Sequence, residues 1–128
     1  MIKILIIEDD DVTNFISKTK LNNFGFKDIF IVTNGQMGID YLKSNECPDL
    51  ILLDINMPIL DGWEFLEAKN RLGLCSGVPI IITTSSGRPE DRLKASTFED
   101  IFDYLEKPIN FDNLNSLLLK LEEENLKC

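Results

Sequence analysis

Asp54 follows the apolar run Leu50–Leu53, and the acidic cluster Glu8-Asp9-Asp10 follows the run Ile2–Ile7. Carboxylates at the ends of two apolar runs converge if those runs are neighbouring strands of a parallel sheet, whose C-terminal ends open on one edge. Crowded there, like charges raise one another's pKa and destabilise the site unless a cation intervenes. A donor set of oxygens, without His or Cys, selects a hard cation, with Mg2+ the natural candidate. An aspartate so placed is also a nucleophile, since a carboxylate attacking phosphorus becomes an acyl phosphate. Lys107 stands between FDYLE and Pro108, and the proline biases it towards an extended backbone that aims its ammonium at the same edge. Its role there is a point charge on a phosphoryl oxygen. Thr84, with Ser85 and Ser86 after it, follows the run VPIIIT and offers a hydroxyl donor. Singly, each feature is ordinary, because acidic runs are often solvated loops and hydroxyls after strands often satisfy turn backbone. Their conjunction is not.

These residues need a scaffold that presents them together, and the apolar pattern supplies one. Ile2–Ile7 reads as a buried parallel strand, and Asp11 to Phe24 as a helix through Val12, Phe15, Ile16 and Thr19 to Leu21, stopped by Gly25. Phe30–Val32, Leu50–Leu53, Ile80–Thr83 and Ile101–Leu105 are the next strands. The intervening helices start at Gly35, near Asp61 and near Pro89, the last with Glu90-Asp91 in its first turn. Trp63, Phe65, Leu66 and Ala68 supply packing residues for the third helix. Asn110 or Asp112 caps a final helix whose core face is Leu114, Leu117, Leu118 and Leu121. Strand then helix, five times over, predicts an α/β fold with a parallel sheet covered on both faces. Right-handed crossovers leave few arrangements, of which strand order 2-1-3-4-5 is the common one.

Composition narrows the function. The chain has 128 residues, 44% of them hydrophobic, which suits a single domain. No apolar stretch is long enough to span a bilayer, and the N-terminus lacks a signal-peptide layout. The net charge of −9, with no Lys/Arg cluster, argues against direct nucleic-acid binding. The chain contains no histidine. That excludes Ser-His-Asp and Cys-His catalysis, His-ligated metals and a phosphohistidine on this protein. Cys47, Cys75 and Cys128 are odd in number and lack CxxC spacing, so neither a disulfide framework nor a zinc site is expected. A reducing cytoplasm is the expected compartment.

ILIIEDD, LILLDINMPILDGWEF, VPIIITTSS and DYLEKP, in this order, resemble the receiver domain of two-component response regulators, including the single-domain chemotaxis type. The resemblance covers essentially residues 1–128 and implies a flavodoxin-like, doubly wound (βα)5 receiver with no output domain. It implies that Asp54 is the phospho-acceptor, charged by a partner histidine kinase or phosphotransfer protein. Asp9 would bind Mg2+ directly and Glu8 through water, with the backbone carbonyl of Asn56 as a further ligand beside Asp54. Thr84 resembles the switch hydroxyl, Lys107 the family lysine, and Tyr104 the aromatic that turns inward on activation. Met57-Pro58 and Asp61-Gly62 resemble the family's turn after the acceptor. Asn56 and Ser86 fall where family members tune phosphate lifetime. GRPEDRLKASTFEDIFDYL departs from the family's Ala-Leu-Gly-Ala pattern around the fourth helix.

Such a protein is a phosphorelay switch rather than an enzyme, catalysing only its own aspartyl phosphorylation and dephosphorylation. Its expected readout is a target protein on the face of the fourth helix, fifth strand and fifth helix, with neither nucleic acid nor membrane as partner. Two other classes share the pattern. A flavodoxin-like redox protein needs a Ser/Thr/Gly-rich first loop, where EDDD would repel phosphate. A receiver-like adaptor would bind partners without phosphorylation, yet no residue the chemistry needs is missing. An aspartate-nucleophile phosphatase usually has a second aspartate two residues on, where this chain has Asn56.

Overall fold

Apolar runs of about five residues, too short for a helix and rich in Ile and Leu, become strands; the longer amphipathic stretches between them become helices. A computed structural model describes residues 2–126 and realises this alternation. The order is β1 (Lys3–Ile7), α1 (Asp11–Asn23), β2 (Asp28–Val32), α2 (Gly35–Ser44), β3 (Leu50–Asp54), α3 (Gly62–Leu72), β4 (Ile80–Thr84), α4 (Pro89–Ala95), β5 (Ile101–Glu106) and α5 (Phe111–Leu126). All strands are parallel, in the expected order 2-1-3-4-5.

Because side chains alternate across a strand, one set of residues faces each layer of helices. Leu5, Ile7, Ile51, Leu53, Ile80 and Ile82 pack with Ile39 and Leu42 of α2, Phe65 and Leu66 of α3, and Ala95 of α4. Ile4, Ile6, Leu50, Leu52 and Ile81 pack on the other side with Leu21 of α1 and Leu114, Leu118 and Leu121 of α5. Every residue of β3 and β4 is buried, so the two strands form a stiff centre whose ends are the positions available for chemistry.

Helix starts follow their caps. Asp10, Asn34 and Asp61 accept backbone N–H bonds at the N-termini of α1, α2 and α3, and Asp61 and Glu64 complete a reciprocal capping box. Asn110 caps α5 by accepting from the backbone N–H of Asn113. The helix over α1 is present, but its inner face is not the apolar one. Phe15 is 73% exposed and Val12 66%, while Asn14, Ser17 and Leu21 are buried. Asn14 lies against the end of β1, where its Nδ2 donates to the Glu8 carbonyl at 2.8 Å.

The cysteine expectation is overturned: Cys47 and Cys75 form a disulfide. Spacing could not reveal it, since 28 residues separate the two. Both lie on connections at the N-terminal edge of the sheet, Cys47 just before β3 and Cys75 just before β4, and these strands are neighbours. Cys128 lies outside the described residues. Among the described residues no helix is long and apolar enough to cross a membrane.

Candidate functional site

Strand register assembles the site. Ile7 pairs with Leu53, so the next residues, Glu8 and Asp54, stand side by side at the C-terminal edge. Asp54 pairs in turn with Thr83, and Thr84 with Glu106, which brings the end of β4 and the residue after β5, Lys107, to the same edge. The Lys107 amide donates to the Thr84 carbonyl at 2.7 Å, and the Lys107–Pro108 peptide is cis.

Glu8 and Asp54 are each only 3% exposed. Lys107 Nζ donates to Glu8 Oε1 at 2.6 Å and to Asp54 Oδ1 at 3.2 Å, serving as the cation between two buried carboxylates. One lysine does not balance them. Burial pushes the Glu8 carboxyl from 4.5 up to about 7, the Lys107 hydrogen bond opposes this, and the neighbouring Asp54 adds to the rise. Burial alone would lower the Lys107 pKa, but its hydrogen bond to Glu8 and the charges of Asp54 and Glu8 raise it, so the ammonium stays charged.

Glu8, Asp9 and Asp54 can each bring a carboxylate oxygen within 4.8 Å of the others. Three oxygen donors, one of them exposed at Asp9, and a Glu8 carboxyl pushed up to about 7 by burial beside Asp54 fit a hard divalent cation. Asn56 is exposed, and its amide donates to Asp54 Oδ1 at 3.4 Å. The loop after Asp54 returns closely to the strand. Gly62 donates its N–H to the Ile55 carbonyl, and a Cβ at Gly62 would lie 2.7 Å from Ile55 Cα and 2.8 Å from the Asp54 carbonyl oxygen. The Asp61-Gly62 pair therefore fixes where the loop turns, as the sequence pattern anticipates.

Thr84 is buried, and its Oγ1 accepts from the Ser86 N–H at 3.0 Å. Ser86 Oγ donates to Asp91 Oδ2 at 2.7 Å, and Arg88 donates to the same oxygen. These bonds hold the Asp91 carboxyl below its usual range, the Ser86 hydroxyl contributing most. Tyr104 is turned inward and buried, its hydroxyl donating to the Ser86 carbonyl at 3.3 Å with Arg92 stacked 4.8 Å from its ring centre. The structure thus brings Glu8, Asp9, Asp54, Asn56, Thr84 and Lys107 to one edge and links Tyr104 to it through Ser86. Sequence reasoning missed Asn14, which anchors the loop carrying Glu8. Its signal is the helical spacing of polar Asn14 and Ser17 with Leu21 on α1.

The response regulator receiver domain model matches residues 4–119. Two-component response regulator ORR41 of Oryza sativa subsp. japonica is 28% identical over 122 residues, covering 94% of each chain. Two-component response regulator 24 of Arabidopsis thaliana is 31% identical over 118 residues, 91% of this chain and 81% of that protein. The chain spans only 55% of the "Probable transcriptional regulator ycf29" of Porphyra purpurea, with which it is 31% identical. Among solved structures, the CheY-like receiver domain protein of Methanospirillum hungatei JF-1 superposes with TM-score 0.83 at 27% identity, over 100% of this chain and 99% of that one. A Mn(2+)-bound form of response regulator Rcp1 superposes with TM-score 0.76 at 25% identity, over 95% and 92% of the two chains. The acidic edge and the half-buried lysine that bridges it therefore stand on a known scaffold: this chain belongs to the response regulator receiver domain family of two-component phosphorelay signalling.

Proposed function

We propose that Asp54 accepts a phosphoryl group from a phosphohistidine on a partner histidine kinase or phosphotransfer protein, and that the acyl phosphate switches binding to a target protein. The observation that carries this reading is Lys107 Nζ shared between Glu8 and Asp54 at a buried edge beside Thr84. The donor must lie outside these 128 residues, because they contain no histidine. An Asp54 carboxylate oxygen attacks phosphorus, the phosphorus–nitrogen bond breaks, and its electron pair stays on the leaving imidazole. Such a transfer is chiefly positioning and charge neutralisation.

The Asp9 and Asp54 carboxylates and the Asn56 carbonyl, with Glu8 through water, would hold a Mg2+ ion, which would supply positive charge to the phosphoryl oxygens. Lys107 has the reach to leave Glu8 for a phosphoryl oxygen on Asp54. Thr84 Oγ1, whose hydroxyl proton is free of the bond it accepts from Ser86, donates to another. Both interactions exist only in the phosphorylated form, so they bias a two-state equilibrium. A shift from mostly inactive to mostly active needs roughly 5 kcal/mol, within reach of a few charge-assisted hydrogen bonds. Because Ser86 is bonded to Thr84 and Tyr104 alike, movement at the threonine reaches the α4–β5–α5 face where the target binds. The protein acts in the cytoplasm as a switch, with no turnover beyond its own phosphorylation and dephosphorylation.

The test is intact mass after incubation with acetyl phosphate and Mg2+, beside Asp54→Asn and a metal-free control. One phosphoryl group gained by the parent and by neither control is the expected result. No gain by folded parent protein would move the reading to an adaptor that binds partners without phosphorylation.

A further inference from the structure

The sheet edge opposite Asp54 carries reactive groups that phosphoryl transfer does not use. Cys47 and Cys75 lie there with Cα atoms 5.6 Å apart, in the range a disulfide spans without backbone movement. Cys47 is exposed and Cys75 half-buried, so attacking thiolates can reach the pair, unlike the buried disulfides that serve only structure. The connections that carry them are held by other bonds as well. Asp49 exchanges hydrogen bonds with Lys3, its N–H donating to the Lys3 carbonyl at 2.8 Å and its Oδ2 accepting from the Lys3 N–H at 2.7 Å. On the Cys75 side, Gly77 N–H donates to Asp100 Oδ2 at 3.0 Å, and Leu74 N–H to the Lys69 carbonyl at 3.0 Å. With both connections pinned in this way, the reduced thiols remain neighbours and the bond can close without refolding.

We propose that Cys47 and Cys75 are a reversible thiol–disulfide modification site, oxidised by a low-molecular-weight disulfide such as oxidised glutathione. A Cys47 thiolate attacks one glutathione sulfur, the glutathione S–S bond breaks, and one glutathione leaves as thiolate. The Cys75 thiolate then attacks the Cys47 sulfur of the mixed disulfide and expels the second glutathione. The two cysteine protons pass to the two departing glutathiones, so one disulfide is reduced as one forms. The consequence follows from what the bond encloses. The segment from Cys47 to Cys75 contains β3 with Asp54, the turn at Gly62 and all of α3. Oxidation makes this acceptor-bearing unit a covalent loop and restricts its unfolded state, so it opens less readily.

The experiment uses the full chain with Cys128→Ser, to remove the third thiol. Reduced protein is treated with oxidised glutathione, alkylated with iodoacetamide and weighed intact. The expected product has lost two hydrogens, takes up no alkyl group and regains both thiols with dithiothreitol. Its thermal midpoint should lie on the order of 10 °C above that of the reduced form. Cys47→Ser in the same background should instead show no intramolecular bond and no such rise. Full alkylation of both thiols in folded, glutathione-treated protein would overturn the proposal, as would resistance of the folded disulfide to dithiothreitol. Equal midpoints for the two forms would overturn its stabilising role.

Discussion

The two ends of β3 and β4 differ in how they treat charge. At the C-terminal ends, two carboxylates are buried against one lysine, and Glu8 is left with a carboxyl pKa near 7. At the N-terminal ends, charges are paired or exposed rather than crowded together. Lys69 is buried 3.9 Å from Asp100, burial pushing its pKa down and Asp100 opposing that, while a disulfide crosses between the connections. Between them lie ten buried strand residues, five in each strand. A stiff centre lets one end carry an electrostatic imbalance, while the other keeps the strands together. Buried carboxylates without enough positive charge cost stability, so a functional edge of this kind needs firm support elsewhere.

The sharpest way to break this contrast is Asp54→Asn, which should abolish phosphoryl uptake from acetyl phosphate, read by intact mass. Next in size is a pH effect confined to the C-terminal edge. Folding raises the Glu8 pKa from 4.5 to about 7, so the folded state holds a proton that the unfolded chain releases. The stabilisation linked to that proton is complete below about 4.5 and is lost as pH rises through about 7. Thermal midpoints of metal-free protein should therefore fall across that window, and Glu8→Gln should flatten the fall. Gly62→Ala should destabilise by about 1–3 kcal/mol in denaturant titration, because its methyl would press on Ile55 and the Asp54 carbonyl. Asn14→Ala, which removes the anchor on the Glu8 carbonyl, should cost about 1 kcal/mol by the same method. Smallest of all is the effect of one edge on the other. Oxidising or reducing Cys47 and Cys75 should leave the initial rate of phosphoryl uptake within about twofold, since the rigid strands between the edges have one well-packed arrangement. A tenfold change would show that the two ends communicate.

Five strands, their helices and the residues at their C-terminal ends were legible because each rests on local information. A run such as LILLD is too short and too apolar for anything but a buried strand, and Asp61 with Glu64 announces a helix start three residues apart. The family motifs named residues that the fold brings to one sheet edge, because strand ends fall at fixed places along the chain. The inner face of α1 was legible only in part. Val12, Phe15 and Ile16 have the spacing of a core stripe, yet the helix turns Asn14 and Ser17 inward, because the Glu8 carbonyl needs a donor.

By itself, then, the sequence determined the order of elements, the parallel sheet and the identities of the groups at its functional edge, since propensity and periodicity act over a few residues. Tertiary structure alone decided which groups meet. Lys107 reaches Glu8 across 99 positions and Asp54 across 53, a pairing set by strand register. The Cys47–Cys75 bond depends on β3 and β4 being neighbours, which no spacing of cysteines could announce. The Glu8 pKa likewise depends on burial, a property that exists only once the chain has folded around the carboxyl.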